Sequence, residues 1–262
     1  MAKTTKASLE QKLDQAVMDS RLADYPEFIE PIFKYLNLTP YLKAYNESVE
    51  GSKDCPNVYH GKTHSIQVAL NTYEAAISEG WDHEDKRVVL LAALFHDHGH
   101  SHGRYQDSRN VRVAADNFQL IHADIKSKHK LSEESALRVR ELIIKTQYPY
   151  KTYNGFGICG LTKILRDADT MSLVYTTDRN LRLRLFVGFI NEIGIGRFET
   201  IKDVIEFQNK FLWSIRWSSR TATIKAMSRN WPQMGKKLLE DIAGHVAYDS
   251  INFQYHITHE IA

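Results

Sequence analysis

The chain has 262 residues, which is enough for one large domain or two small ones with a substantial core. Its 34 Lys and Arg residues nearly balance its 32 Asp and Glu residues, so the net charge of +2 offers no bulk electrostatic attraction for nucleic acid or a membrane surface. Two cysteines without CxxC spacing, Cys55 and Cys159, and the lack of an apolar leader or a membrane-length apolar stretch predict a soluble protein of a reducing compartment, the cytoplasm.

The spacing of apolar residues predicts an almost wholly helical chain, because they recur every three to four positions without strict alternation. A first helix is expected over residues 8–24, followed by short helices over 26–36 and 40–46 that each open at a proline. A polar loop over 47–57 then leads to a helix over 62–77, which ends at a glycine.

A buried helix is predicted over about residues 83–97, and after a loop the next helix begins at a cap formed by Asp107 or Ser108. Ser132 is the predicted N-cap of a helix that ends near residues 148–150. The remaining predicted helices have the same spacing and lie at 158–174 and within 175–245, the last of them starting at Pro232.

One stretch combines an apolar run with polar residues that bind metals. Eight apolar residues from Val88 to Phe95 are followed directly by His96 and Asp97. The run is too continuous for a surface helix with one apolar stripe, so we expect it to be buried on all sides. An unpaired carboxylate at its end would cost several kcal/mol, and a divalent cation would remove that cost.

Histidines concentrate around this stretch, with seven of the twelve between residues 60 and 102. His60 and His64 are four residues apart and would share one face of a helix, although Gly61 allows His60 to lie just before the first turn. An isolated pair of this kind is more often two solvated or core histidines than a pair of metal ligands.

A metal site is the alternative, because His96, Asp97 and Asp169 supply the further ligands that it requires. Imidazole and carboxylate groups without a thiolate suit Mg, Mn, Fe, Co, Ni or Zn and do not select among them. Two histidines and two aspartates leave coordination positions open, which is typical of a catalytic site. Asp167 is a weaker candidate, because side chains two residues apart on a helix point in different directions.

The order of these residues resembles the H…HD…D motif of the HD superfamily of metal-dependent phosphohydrolases. Tyr59-His60-Gly61-Lys62-Thr63-His64 is similar to the YHxxxH sequence of its phosphodiesterases, and Leu94-Phe95-His96-Asp97 and Leu165-Arg166-Asp167-Ala168-Asp169 resemble the second and third motifs. The resemblance covers about residues 58–175 and implies an all-α fold of the HD and phosphodiesterase type. Because no linker or repeat interrupts the chain, one helical domain is predicted over residues 1–262.

Carried over position by position, the resemblance implies that His64, His96, Asp97 and Asp169 bind a first divalent metal ion. Asp97 would be the bridging ligand where a second ion binds. Members of the superfamily use such ions to activate water and to polarise a phosphoryl oxygen, so the resemblance implies hydrolysis of a phosphoester.

The resemblance also implies catalytic roles for His60, Asp97 and His100. His60 corresponds to the histidine that protonates the leaving oxygen in the phosphodiesterase branch, a task that suits an imidazole near neutral pH. His100 stands where some relatives have a further histidine that binds a second metal or the substrate. The chain has His98-Gly99-His100-Ser101 in place of the acidic ED pair of guanosine-tetraphosphate hydrolases, and no recognisable glutamine clamp of the cyclic-nucleotide enzymes.

Three basic residues are candidates for binding the phosphate of a substrate: Lys62, Arg104 and Lys145. Arg104 follows Asp97 by seven residues and is the first choice, because a guanidinium group forms bidentate hydrogen bonds with phosphate. The alternative for each of the three is a solvated surface side chain.

Three other segments have both a structural and a functional interpretation. The first is a basic run whose pattern predicts a solvated helix face or, alternatively, a contact with phosphate or with another subunit; it contains Arg179, Arg182 and Arg184. The aromatic segment 211–217 predicts core packing or a wall that stacks on a base. The histidine-bearing tail at 256–259 predicts disorder or surface display.

The leading hypothesis is a metal-dependent phosphohydrolase of the phosphodiesterase or nucleotidase class. Its substrate is expected to be a small-molecule phosphoester, in particular a nucleotide, and its cofactor one or two divalent ions. A homo-oligomer is compatible with the sequence. The alternatives are a nucleotide sensor that keeps the fold without turnover and, less favoured, a di-iron oxygenase on the same fold.

Overall fold

A computed structural model describes residues 26–50, 59–102, 104–125, 128, 130–148, 160–176, 178–194, 198, 200–215, 231–249 and 254–259. The helix over 8–24 and the interpretation of both cysteines lie outside these residues. The side chains of the aromatic segment 211–217 are likewise outside the described part.

The described residues form ten α-helices and one antiparallel hairpin, and the prediction of an all-α fold is confirmed. A 3-10 turn over Pro26–Phe28 leads into the first helix. The helices are α1 (Ile29–Tyr35), α2 (Thr39–Glu50), α3 (Lys62–Ser78), α4 (His83–Phe95), α5 (Asp107–Asp124), α6 (Glu133–Ile144), α7 (Gly160–Tyr175), α8 (Arg179–Gly194), α9 (Ile201–Ile215) and α10 (Trp231–His245), and the strands are β1 (Val246–Asp249) and β2 (Gln254–Ile257). None of these helices has the length and apolar character needed to cross a membrane.

Two predicted helix ends and one cap were wrong. Helix α2 continues to Glu50, where a loop was expected from residue 47, and Lys43 and Glu47 form an ion pair one turn apart on it. Helix α6 stops at Ile144. The N-cap of α5 is Gln106 without a side-chain hydrogen bond, because the carboxylate of Asp107 instead accepts from the backbone N–H of Tyr148. The predicted Ser132 cap is confirmed, since its hydroxyl accepts from the N–H of Ser135.

The expected buried helix, α4, lies at the centre of the larger core. All eight residues from Val88 to Phe95 are fully buried. The side chain of Asp82 caps the helix by accepting a hydrogen bond from the N–H of Asp85. Helix α4 packs against α3, α6 and α7, and α3 also packs against α7. These contacts bring the start of α3 and the middle of α7 to the end of α4.

A second apolar cluster joins α8, α9, α10 and the hairpin. Its buried members include Phe186 and Ile190 of α8, Ile242 of α10, Tyr255 of β2 and also Tyr59. The sequence did not predict this hairpin. Residues 256–259 are ordered by it, because β2 pairs with β1 and the N–H of Thr258 donates to the carbonyl of His245. Disorder of this tail was therefore the wrong expectation, whereas the exposure of His256 and His259 agrees with surface display.

The arginine run lies on a solvated face at Arg184, which is exposed, but not at Arg182. Arg182 is buried and donates to the carboxylate of Asp241 on α10 at 2.8 Å and to the carbonyl of Thr176 at 3.2 Å. Arg179 donates to the other oxygen of the same carboxylate. Burial alone would raise the pKa of Asp241, but the two guanidinium groups outweigh it and hold that pKa below its usual range.

The start of α7 allows a test of packing against Trp81. A Cβ atom on Gly160 would lie 2.3 Å from Cζ2 of Trp81, so we expect Gly160→Ala to lower the free energy of unfolding by about 1–3 kcal/mol. The matched control is Gly244→Ala on α10, where an added Cβ would meet no atom of the described residues within 4 Å. Helix propensity should make that variant about 0.5–1 kcal/mol more stable. Urea denaturation measures both changes, and equal midpoints for the two variants would contradict the expectation.

Candidate metal centre

Four side chains from three elements meet at the end of α4. His64 is in the first turn of α3, His96 and Asp97 directly follow α4, and Asp169 is on α7. His64 and His96 are buried, whereas Asp97 and Asp169 keep 12% and 21% of their side chains exposed. The carboxylates therefore form the solvent-accessible side of the cluster, and the imidazoles form its buried side.

The four ligand atoms lie close enough to share one ion. Nε2 of His96 is 2.9 Å from Oδ2 of Asp97 and 3.5 Å from Oδ1 of Asp169. Nε2 of His64 is 3.4 Å and 3.3 Å from the same two oxygens. One ligand atom from each residue lies within 4.8 Å of all the others. Asp167, the weaker candidate, is not a member of this group.

The outer ring nitrogen atoms of the two histidines contact other groups, and the inner nitrogen atoms face the cluster. Nδ1 of His96 is 2.7 Å from the carbonyl of Ala93, which can only accept, so Nδ1 carries the proton. Nδ1 of His64 lies 3.4 Å from the hydroxyl of Ser172, which in turn contacts the hydroxyl of Tyr59 at 3.0 Å. Nε2 of both histidines and Oδ2 of Asp97 are buried, and their mutual contacts at 2.9 Å and 3.4 Å do not have the geometry of a hydrogen bond.

The charges of the cluster favour a cation. Burial alone would raise the pKa of Asp97, but the neighbouring His96 and His60 hold it well below its usual range. Burial likewise acts against ionisation of Asp169, and its contacts with His96 and His64 lower its pKa to about 2. Two ionised carboxylates beside two imidazole nitrogen atoms that form no hydrogen bond are suitable ligands for a divalent metal ion. Such an ion would form coordinate bonds with all four groups.

A second group of histidines lies beside this cluster, around Glu192 of α8. His60 precedes α3, whose N-cap is Gly61, so His60 lies before the first turn rather than on the helical face. The rings of His60 and His100 stack with centroids 3.8 Å apart, and those of His100 and His102 are 5.7 Å apart. Ligand atoms of His60, His100 and Asp97 form a further group within 4.8 Å of one another.

The turn after Asp97 depends on a glycine. Gly99 has φ +81°, a conformation that L side chains rarely adopt, and a Cβ atom there would lie 2.7 Å from Nδ2 of Asn117. His100 therefore follows a turn that closes against α5. Nε2 of His100 contacts Nδ2 of Asn110 at 2.9 Å, and burial together with the neighbouring His60 lowers the pKa of His100 to about 4.

Glu192 is the functional candidate that sequence reasoning missed. Its side chain is 5% exposed, and its Oε2 lies 2.5 Å from Nδ1 of His60. Burial opposes the charged forms of both partners, but Asp97 and Glu192 raise the pKa of His60, and the bond to His60 lowers the pKa of Glu192. A signal existed in the sequence, because Glu192 is the one charged residue between Arg184 and Arg197.

The three basic residues expected to bind phosphate belong to three separate segments of the chain. Lys62 is the first residue of α3 and is partly buried, and Arg104 is exposed in the loop between α4 and α5. Nζ of Lys145 lies 3.9 Å from Glu141 at the end of α6, an ion pair open to solvent. Their role toward phosphate stays a prediction.

The comparison with known families agrees with this geometry. Residues 61–173 match the family model of the HD domain. The chain therefore contains an HD domain, the domain that characterises the superfamily of metal-dependent phosphohydrolases. The HD domain contains all four residues of the metal-type cluster, whereas His60 precedes it by one residue and Glu192 follows it. No curated protein sequence matches the chain significantly.

Proposed function

We propose that this HD-domain protein is a metal-dependent hydrolase of phosphoesters, acting on a nucleotide or another small phosphoester. The observation that carries the proposal is the convergence of His64, His96, Asp97 and Asp169 with unbonded inner atoms. A site built only for stability would leave buried Nε2 atoms paired, because an unsatisfied buried polar group costs about 1–3 kcal/mol.

In this proposal His64, His96, Asp97 and Asp169 hold the first divalent ion, which is Mg, Mn, Fe, Co, Ni or Zn. When bound, the ion supplies Lewis-acid polarisation of a phosphoryl oxygen and an activated water. The carbonyl of Ala93 and the hydroxyl of Ser172 orient the two imidazoles, and such supporting bonds matter for metal affinity.

The remaining proposed roles belong to residues around the ion. His60 donates a proton to the departing oxygen, and His100 contacts the substrate or a second ion. Lys62, Arg104 and Lys145 bind the phosphate, with Arg104 offering two parallel hydrogen bonds from its exposed loop. We further propose a cytoplasmic location, because the two cysteines lack the spacing of a disulfide framework. A homo-oligomer is also part of the proposal.

A metal analysis followed by a substrate panel tests the function. Protein purified without added metal is analysed for bound elements, then assayed with cyclic nucleotides, nucleoside mono- and triphosphates and nitrophenyl phosphodiesters with each ion. We expect bound divalent metal and hydrolysis of at least one ester, abolished by a chelator and restored by the ion. Metal without any turnover, combined with stabilisation by an intact nucleotide, would favour the sensor hypothesis instead.

A second candidate, an oxygenase with two iron ions, gains support from one observation. His60, Asp97 and His100 offer a second set of ligand atoms that shares Asp97 with the first set. Binding of two iron atoms per chain with visible absorption would favour this chemistry. One ion per chain without a chromophore would leave His60 free for its role as an acid.

A further inference from the structure

Two histidines meet where the C-terminal hairpin begins and ends. His245 is the last residue of α10 and directly precedes β1, and His259 follows the end of β2 by two residues. The centroids of their rings are 4.4 Å apart, with an angle of 54° between the ring planes. His245 is half-buried and His259 is exposed. This histidine pair lies outside the HD domain, which ends at residue 173.

The contacts of the histidine pair determine which nitrogen of each ring carries the proton. Nδ1 of His245 lies 3.2 Å from the carbonyl oxygen of His259, which can only accept, so Nδ1 is the donor. The hydroxyl of Thr258 donates its one proton to the carbonyl of His245 at 3.1 Å. The same hydroxyl therefore accepts from Nδ1 of His259 at 3.0 Å. When both rings are neutral, each Nε2 atom keeps its lone pair.

Each ring thus has the arrangement typical of a metal-binding histidine. Such a histidine donates one ring N–H to a carbonyl or another polar group, and this bond orients the ring while its other nitrogen binds the ion. Neither Nε2 atom of the histidine pair forms a hydrogen bond with another described residue. Two nitrogen ligands of one tetrahedral zinc ion are about 3.3 Å apart. Rings with centroids 4.4 Å apart can bring their Nε2 atoms to that separation.

We propose that His245 and His259 form a second metal site, which binds a divalent transition-metal ion such as Zn²⁺ through their two Nε2 atoms. Imidazole ligands favour zinc, copper or nickel, whereas magnesium prefers oxygen ligands. No third His, Cys, Asp or Glu side chain of the described residues joins the pair within 4.8 Å, so water completes the coordination. The proposal uses no residue of the phosphoester site and does not depend on its activity.

The bound ion cross-links the two ends of the hairpin. Each strand is four residues long, and an isolated two-stranded hairpin is only marginally stable. The N–H of Thr258 already donates to the carbonyl of His245 at 2.8 Å, and the ion adds a bridge beside this bond. The N–H and the carbonyl of Tyr255 on β2 are both hydrogen bonded to Asn191 of α8. The ion therefore also stabilises the contact of the hairpin with α8.

A zinc titration of the full chain tests the proposal. Because only two protein ligands hold the ion, we expect it to be lost during purification and to bind again when zinc is added. By calorimetry, the unaltered protein should bind one equivalent of zinc more than His245→Gln or His259→Gln. The matched control is His83→Gln, at an exposed histidine that begins α4, and it should bind as much zinc as the unaltered protein. Equal zinc stoichiometries for all four proteins would overturn the proposal.

Magnesium provides a second control in the same experiment. It should bind the unaltered protein and the variants of the histidine pair with equal stoichiometry, because two imidazoles offer it no oxygen ligand. A magnesium equivalent that is lost with His245→Gln or His259→Gln would overturn the assignment of a transition-metal site.

The hydroxyl of Thr258 allows a test that keeps both imidazoles. Thr258→Val retains the shape of the side chain and removes the group that accepts from Nδ1 of His259. Loss of such a supporting bond costs about 10–100-fold in metal affinity, and we expect a fall of this size in the affinity of the pair for zinc. An unchanged affinity would overturn the proposed geometry.

NMR spectroscopy locates the ion without any substitution. Long-range ¹H–¹⁵N spectra of the zinc-free protein should show the proton on Nδ1 of both His245 and His259, and zinc should shift both Nε2 resonances. Protons on Nε2, or zinc-induced shifts confined to histidines of the HD domain, would overturn the proposal. A protein that hydrolyses no ester can still pass this test, and an active hydrolase can fail it, so the two proposals are judged separately.

Discussion

Replacing Asp97 with asparagine should abolish both metal binding and hydrolysis. Asp97 contacts both imidazoles and belongs to two of the three groups of potential ligand atoms, which is true of no other described carboxylate. Loss of a residue that only supports a ligand costs about 10–100-fold in metal affinity or activity, and loss of a proposed ligand should exceed that. Elemental analysis and the rate with the best ester of the panel measure the effect.

The matched control for Asp97→Asn is Asp116→Asn on α5. Asp116 is 66% exposed and lies 3.4 Å from Arg140, a surface pair that contributes little to stability. This variant should keep its metal and its rate. If Asp97→Asn binds a full equivalent of metal and hydrolyses the ester at an unchanged rate, the proposed centre is wrong.

Replacing Asp241 with alanine should be strongly destabilising, although this residue lies outside the metal-type cluster. Arg182 has 4% and Asp241 2% of its side chain exposed, so the variant leaves a buried guanidinium without its carboxylate. Breaking a buried pair in this way costs about 3–5 kcal/mol. The loss acts on the packing of α10 against α8, and chemical denaturation followed by circular dichroism measures it.

The neighbouring Glu240 provides the control for this change. Its side chain is 63% exposed and lies 3.7 Å from Lys236 one turn earlier on α10. We expect Glu240→Ala to alter the free energy of unfolding by no more than about 0.5 kcal/mol. Similar losses for the two variants would show that helix propensity, rather than the buried pair, controls stability here.

The local features of this protein could be predicted well from the sequence. The apolar run from Val88 to Phe95 is buried as expected, because eight continuous apolar residues leave no polar face to turn toward water. The Ser132 cap and the start of the last helix near Pro232 also agree, since caps and proline act on adjacent backbone groups. The order of the four proposed ligands was equally visible, because each lies in a recognisable short motif.

Contacts between distant segments could not be derived in this way. The spacing of Arg182 on its helix indicated a solvated face. Its buried contact with Asp241 depends on how α10 packs against α8. The hairpin was missed because its strands are four residues long and gain stability only by pairing with each other and packing on α8.

The division between the two sources of information is clearest at His60. The sequence by itself determined the helical class, the buried centre and the residue types that can bind a cation, since all of these follow from local pattern and chemistry. Only the tertiary structure decided that Glu192, 132 residues away, holds His60 beside Asp97. The physical reason is that a hydrogen bond requires approach within about 3 Å, and no local periodicity encodes which helix supplies the partner.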